Sequence, residues 1–236
     1  VNAILEVILY SFASGITVII GGLLARLKIF PGGELGREIA HSIVAFGAGV
    51  LVAAVAFVLT PKAISLLSLP VIVAIFLSGV ILFLLLDTLI GRHGGVLAQF
   101  MAMSMDYIPE AIALGAVFSY DRKTGLLLAL FIGLQNLPES YNAFGDLVKS
   151  GFSPNKALVI LVPFGFVGII AAILGYSFLN ESEMVINSLM LFAAGGILYL
   201  VFQDIAPMIK YKSHRAPAFS AALGFMIGII GIKLLG

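Results

Sequence analysis

The 236-residue chain is 61% hydrophobic and 11% charged, with 13 Lys and Arg against 12 Asp and Glu, for a formal net charge of +1. Soluble domains carry about 25% charged residues, so this composition excludes a water-solvated domain and describes a polytopic membrane protein whose main partner is the lipid bilayer. The chain contains no cysteine, which rules out disulfides, thiolate metal sites and a cysteine nucleophile, and no basic block is long enough to bind nucleic acid.

Apolar stretches of about the 20 residues that cross a bilayer lie at 4–24, 39–59, 69–90, 96–119, 125–147, 157–179, 185–209 and 217–235. The breaks are marked by Pro31-Gly32-Gly33, Thr60-Pro61, Gly94-Gly95, Asp121, Ser153-Pro154, Asn180 and Ala216-Pro217, residues that end helices or start turns. The predicted fold is therefore all-α, eight transmembrane spans in a single domain over 1–236. No basic start and cleavage site precede the first span, which is expected to act as its own targeting signal.

Connections after spans 1, 3, 5 and 7 carry Arg26, Lys28, Arg37, Arg92, Lys149, Lys156, Lys210, Lys212 and Arg215, whereas the other side has only Lys62, Arg122, Lys123 and Lys233. The positive-inside rule then places both termini outside the cytoplasm, in a multi-pass protein expected in the cell membrane. His41, His93 and His214 fall on or near the cytoplasmic side and read as interfacial polar residues, with receipt of released metal as the alternative. Glu6, Asp87, Asp146 and Asp204 lie towards span ends; Asp87 and Asp204 read as hydrogen-bonded helix-end residues rather than ligands, with lining a path as the alternative.

Span 2 contains Phe46-Gly47-Ala48-Gly49 and closes on Thr60-Pro61; span 7 contains Phe192-Ala193-Ala194-Gly195 and closes on Ala206-Pro207, with 15 residues from Phe to Pro in both. The two spans run in opposite directions, as do spans 4 and 5. An inverted-topology repeat follows, helices 1–4 against 5–8, which places a substrate site at the repeat interface near the bilayer midplane.

Spans 4 and 5 hold a second matching pair at that depth, Met105-Asp106-Tyr107-Ile108-Pro109-Glu110 and Leu134-Gln135-Asn136-Leu137-Pro138-Glu139. An ionised carboxylate there costs about 2.5–3.5 kcal/mol on insertion scales. Asp106 and Glu110 are four apart, as are Gln135 and Glu139, so each pair shares one helix face. Pro109 and Pro138 lack an amide proton and free the carbonyls of Met105 and Leu134. Alone, an acid or a proline in such a helix is an ordinary packing feature. Two copies on facing helices would converge three carboxylates, an amide oxygen and two carbonyls, an arrangement that a divalent cation would stabilise.

An intramembrane metalloprotease would need a His-Glu-x-x-His helix and an ATP-driven pump a phosphate loop; neither pattern occurs, so no enzyme is expected.

These residues resemble the ZIP family of divalent-metal transporters, over 46–61, both Pro-Glu motifs, 192–207 and the glycine-rich last span. The resemblance implies eight helices, a transport site between helices 4 and 5, a homodimer, and a metal ion as substrate with no cofactor. Where the family commonly has His-Asn-x-Pro-Glu, this chain has Asp106 at the His position and Tyr107 at the Asn position. Gln135 and Asn136 stand where helix 5 often has His or Gln and then an acid, and Val162 before Pro163 where some members add a glutamate. One metal position is therefore expected, built by Asp106, Glu110, Gln135 and Glu139, with Asn136 as a further candidate. Oxygen donors alone favour harder ions, so manganese or ferrous iron is expected ahead of zinc or cadmium. The expected function is a secondary transporter moving such ions into the cytoplasm by alternating access; the alternative is a ZIP-fold sensor or non-transporting subunit.

Overall fold

A computed structural model describes residues 3–27, 33–93, 95–178, 182–209 and 215–235, without the side chains of 90–104, 106, 204, 208 and 209. Every described element is helical: α1 (Ala3–Arg26), α2 (Gly33–Ala54), α3 (Pro61–Leu66), α4 (Leu69–His93), α5 (Gly95–Phe118), α6 (Arg122–Lys149), α7 (Pro154–Phe178), α8 (Glu183–Leu200), α9 (Ala206–Ile209) and α10 (Ala216–Leu235). Among the described residues six helical stretches are long and apolar enough to cross a membrane: Ala3–Arg26, Gly33–Leu66, Leu69–Leu89, Pro154–Phe178, Glu183–Gln203 and Ala216–Leu235. The chain is an all-α membrane protein. The two longer helices outside that group, α5 and α6, carry the polar motifs, and the described apolar part of α5 is the short Tyr107–Phe118.

Prolines shape the ends of α2 and α8. Pro61 offers no N–H, and its ring would strike the carbonyl four residues back, so the last turn of α2 widens into a π helix, Val55–Leu59. Thr60 closes that turn, donating to the Val55 carbonyl from its backbone N–H at 3.2 Å and its hydroxyl at 2.8 Å. A second π turn, Val201–Ile205, precedes Pro207 in the same way. The spans read as 39–59 and 185–209 are thus interrupted helices, at equivalent places after Phe46 and Phe192.

Within lipid, helices gain little from apolar contact and associate by close backbone packing at small residues. A Cβ on Gly49 of α2 would lie 1.9 Å from the Ala221 carbonyl oxygen of α10, and one on Gly224 2.1 Å from that of Phe46. The same reciprocal arrangement joins α4 to α8, where a Cβ on Gly195 would lie 2.2 Å from the Phe76 oxygen and one on Gly79 2.0 Å from the Phe192 oxygen. Between these two zipped pairs lie α1, α5, α6 and α7. There an added Cβ would lie 1.8 Å from the Ala172 oxygen at Gly115, 2.0 Å from that of Ile112 at Gly175, 2.5 Å from that of Gly165 at Gly15 and 2.3 Å from that of Leu137 at Gly21. The α2/α10 pair packs on α6, and the α4/α8 pair on α5.

One end of the bundle is tied by charge. Glu6 at the start of α1 pairs with Arg122 at the start of α6 at 2.8 Å, and Lys62 of α3 pairs with Glu183 at the start of α8 at 2.5 Å. Lys62 also lies 4.4 Å from the centre of the Tyr120 ring, in the turn after α5. Asp121 caps α6, accepting from the backbone N–H groups of Lys123 and Thr124 at 3.1 Å each and from the Thr124 hydroxyl at 2.6 Å. Burial acts to raise the Asp121 pKa, but the Thr124 bonds and the charge of Lys62 outweigh it and hold the carboxyl below its usual value.

Candidate metal site

Pro109 and Pro138 both lie inside helices, in α5 and α6. Next to Pro109, Glu110 is 0% exposed, an unusual place for a carboxylate. Its partner comes from the other motif: the Gln135 side-chain amide donates from Nε2 to Glu110 Oε2. Gln135 itself is 1% exposed, and among the described residues its Oε1 receives no hydrogen bond. A buried oxygen of this kind costs about 1–3 kcal/mol when left without a donor.

Of the residues read from the sequence as metal ligands, the structure thus joins Glu110 and Gln135 directly. Glu139, one turn further along α6 than Gln135, is half-buried. The side chain of Asp106 lies outside the described residues. Asn136 points elsewhere: its Nδ2 donates to the Ser14 carbonyl of α1 at 3.2 Å. Among the described residues no group of three or more His, Asp or Glu side chains gathers closely enough to hold a metal ion.

Polar residues of α1 line the side that Asn136 approaches. Ser11, Ser14 and Thr17 each donate to a carbonyl one turn back in α1, at 2.6, 3.0 and 2.6 Å. Sequence reading assigns no role to this stripe or to Tyr107, which is 2% exposed with its phenol oxygen against Gly15 and Gly168. The available signal was the small residues opposite it. Asp87 matches the expectation for a hydrogen-bonded acid, accepting from the Tyr199 hydroxyl at 2.9 Å.

Clefts flank α6. One of about 590 Å³ runs between α2, α6 and the start of α10, from Leu35 and Glu38 to Phe46 and Pro138. Another, of about 440 Å³, lies between α1 and α6 against Ser14, Thr17 and Leu137.

Proteins with known relatives give this helical membrane scaffold a family. The family described as ZIP Zinc transporter matches residues 95–236, a stretch that contains both Pro-Glu motifs and more than half of the chain. The chain belongs to the ZIP family. It is 26% identical over 132 residues to "Zinc transporter ZIP13 homolog" of Drosophila melanogaster, which covers 55% of this chain and 37% of that protein. It is 29% identical over 145 residues to "Zinc transporter GufA" of Myxococcus xanthus, covering 58% and 56% respectively. To "Zinc transporter ZIP13" of Gallus gallus it is 29% identical over 138 residues, covering 57% and 37%. The matched part thus spans between 37% and 56% of these relatives' own length.

Proposed function

We propose that this protein is a secondary transporter that moves a divalent metal cation into the cytoplasm through an all-oxygen site between α5 and α6. Asp106, Glu110, Gln135 and Glu139 are the ligands in this reading. The observation that carries it is the junction of Gln135 with the fully buried Glu110, which leaves the Gln135 Oε1 without a hydrogen-bond donor among the described residues. An acid and an unsatisfied oxygen side by side at membrane depth form a strained arrangement, and a cation relieves both costs at once. Pro109 and Pro138 also withhold the N–H groups that would otherwise bond to the carbonyls of Met105 and Leu134.

Eight spans and an inverted repeat provide the route. In this reading α1, α2 and α4 correspond to α7, α8 and α10, and α5 to α6. The matching contacts support it: Gly49 on Ala221 and Gly195 on Phe76, Gly224 on Phe46 and Gly79 on Phe192. The two π turns and the two Pro-Glu motifs obey the same correspondence. Such a repeat supplies two alternative packings around one site, which is what alternating access requires. With the Lys62–Glu183 end outside, the ion pairs hold that end together while the cleft along α2 reaches Pro138 from the other. A membrane potential of 100 mV, negative inside, favours entry of a dication by about 4.6 kcal/mol, so no ATP is needed.

The named relatives are zinc transporters, whereas the donor set here contains oxygen alone and suits manganese or ferrous iron better. Uptake by reconstituted vesicles, with radiolabelled manganese, iron, zinc and cadmium in turn, tests the reading. Flux of at least one ion is expected for wild type and none for Glu110→Gln or Glu139→Gln. Binding without flux would assign the chain to the sensor class instead, and absence of both would remove the metal reading.

A further inference from the structure

Tyr107 and Asn136 occupy the same place in the two motifs, each two residues before the proline and directly after the residue assigned to the ion, Asp106 or Gln135. Successive residues on an α-helix are turned by about 100°, so a residue adjacent to a ligand faces well away from the ion. Both side chains reach the same turn of α1. From α6, the Asn136 amide donates to the carbonyl of Ser14 at 3.2 Å. From α5, the Tyr107 phenol enters the gap between α1 and α7, where a Cβ on Gly168 would lie 2.0 Å from its oxygen and one on Gly15 2.8 Å. Ser14 and Gly15 are neighbours, and Gly15 is where α1 crosses α7 at Gly165. One side chain from each motif is therefore anchored at a single helix crossing. Each anchor is 2% exposed.

We infer that Asn136 and Tyr107 are positioning residues: they fix the rotation of α6 and α5 about their own axes against the α1–α7 crossing, and they do not touch the ion. The inference rests on the metal site proposed above. Rotation of a helix by about 20°, at a side-chain radius of about 5–6 Å, displaces a ligand by about 2 Å. That is enough to part Gln135 from Glu110 and to remove either from an ion's coordination shell. Asn136 acts as a donor here, and an ionised Asp at 136 would place a negative oxygen against the Ser14 carbonyl. A ligand role predicts the reverse, because a carboxylate at 136 would strengthen cation binding.

The test is calorimetric titration of purified full-length protein with manganese and with cadmium, alongside thermal unfolding without metal. Wild type should bind one ion. Asn136→Asp should lower affinity by about 10–100-fold, the range for loss of an outer-shell partner, with the stoichiometry still one. Gly168→Ala, which pushes on the phenol, should lower affinity in wild type and add nothing in a Tyr107→Ala background; this arm stands if Asn136→Asp does not fold. Tighter binding or a second ion in Asn136→Asp would make Asn136 a ligand and overturn the inference. Unchanged affinity with only a lower unfolding temperature would reduce both residues to packing and overturn it as well. No binding by wild type would overturn the metal reading itself, and the positioning role with it.

Discussion

Gln135 donates to the carboxylate of Glu110 across the α5–α6 contact, joining the two copies of a motif through an amide and an acid that are both buried. Replacing Glu110 separates its two roles. Glu110→Gln keeps the shape and an acceptor for Gln135, so the fold should persist while divalent-ion uptake falls by at least about tenfold, the lower bound seen even for outer-shell partners. Glu110→Ala also leaves the Gln135 amide buried without its acceptor, a loss of about 1–3 kcal/mol. Uptake and thermal unfolding measured on both variants should therefore diverge: similar transport loss, but a lower unfolding temperature for the alanine alone.

The parts of this site that the sequence disclosed are those set by spacing along one helix. Glu110 and Gln135 announce themselves as polar residues within one turn of a proline in apolar runs, and each helix end near Pro61 or Pro207 is marked by the proline. What spacing does not encode is the rotation of one helix against another. Asn136 is a further ligand candidate by resemblance, and spacing gives no sign that its amide donates to the Ser14 carbonyl of α1. The glycines of α2, α4, α8 and α10 signal close packing without naming partners, because the Gly49–Ala221 and Gly195–Phe76 contacts depend on which helices lie side by side. The π turns are likewise a tertiary outcome, a proline constraint resolved within a helix that continues past it.

Two glycines should respond to alanine in opposite senses. At Gly49 the added methyl would fall 1.9 Å from the Ala221 oxygen and 2.8 Å from the Phe225 nitrogen, both backbone atoms that cannot turn aside. Gly49→Ala should force α2 and α10 apart, at about 1–3 kcal/mol for overpacking. Gly145 lies inside α6 with nothing within 4 Å of a new Cβ. Gly145→Ala should raise stability by up to about 1 kcal/mol through helix propensity. Unfolding temperatures in detergent would check the contrast; a tolerated Gly49→Ala would contradict the packing described.

Ion choice should follow the donor at position 106. In the proposed site Asp106→His would introduce an imidazole among oxygen donors, and imidazole suits zinc while carboxylates suit manganese. The substitution should raise zinc uptake relative to manganese in competition assays on vesicles. An unchanged ratio would remove Asp106 from the ligand set, even if total flux fell.

Asp121 should make stability depend on pH. It caps α6, the helix carrying Gln135 and Glu139, through bonds to Lys123 and Thr124, and its pKa is held below the usual 3.8. A carboxyl whose folded pKa is lowered binds its proton more readily in the unfolded chain. Its contribution is therefore complete above the unfolded value and is lost as pH falls through the folded one. Asp121→Ala should destabilise the protein by about 1 kcal/mol at neutral pH, the usual cost of an N-cap, and the difference from wild type should narrow as the pH drops below 3.8. Asp121→Asn retains an oxygen acceptor without the titrating charge, so it should preserve most of the cap while removing this site's share of the pH dependence. Unfolding temperatures of the three proteins from neutral to acid pH would decide it. A gap between wild type and Asp121→Ala that stayed constant through the acid range would mean that the ionised carboxylate contributes nothing to the cap.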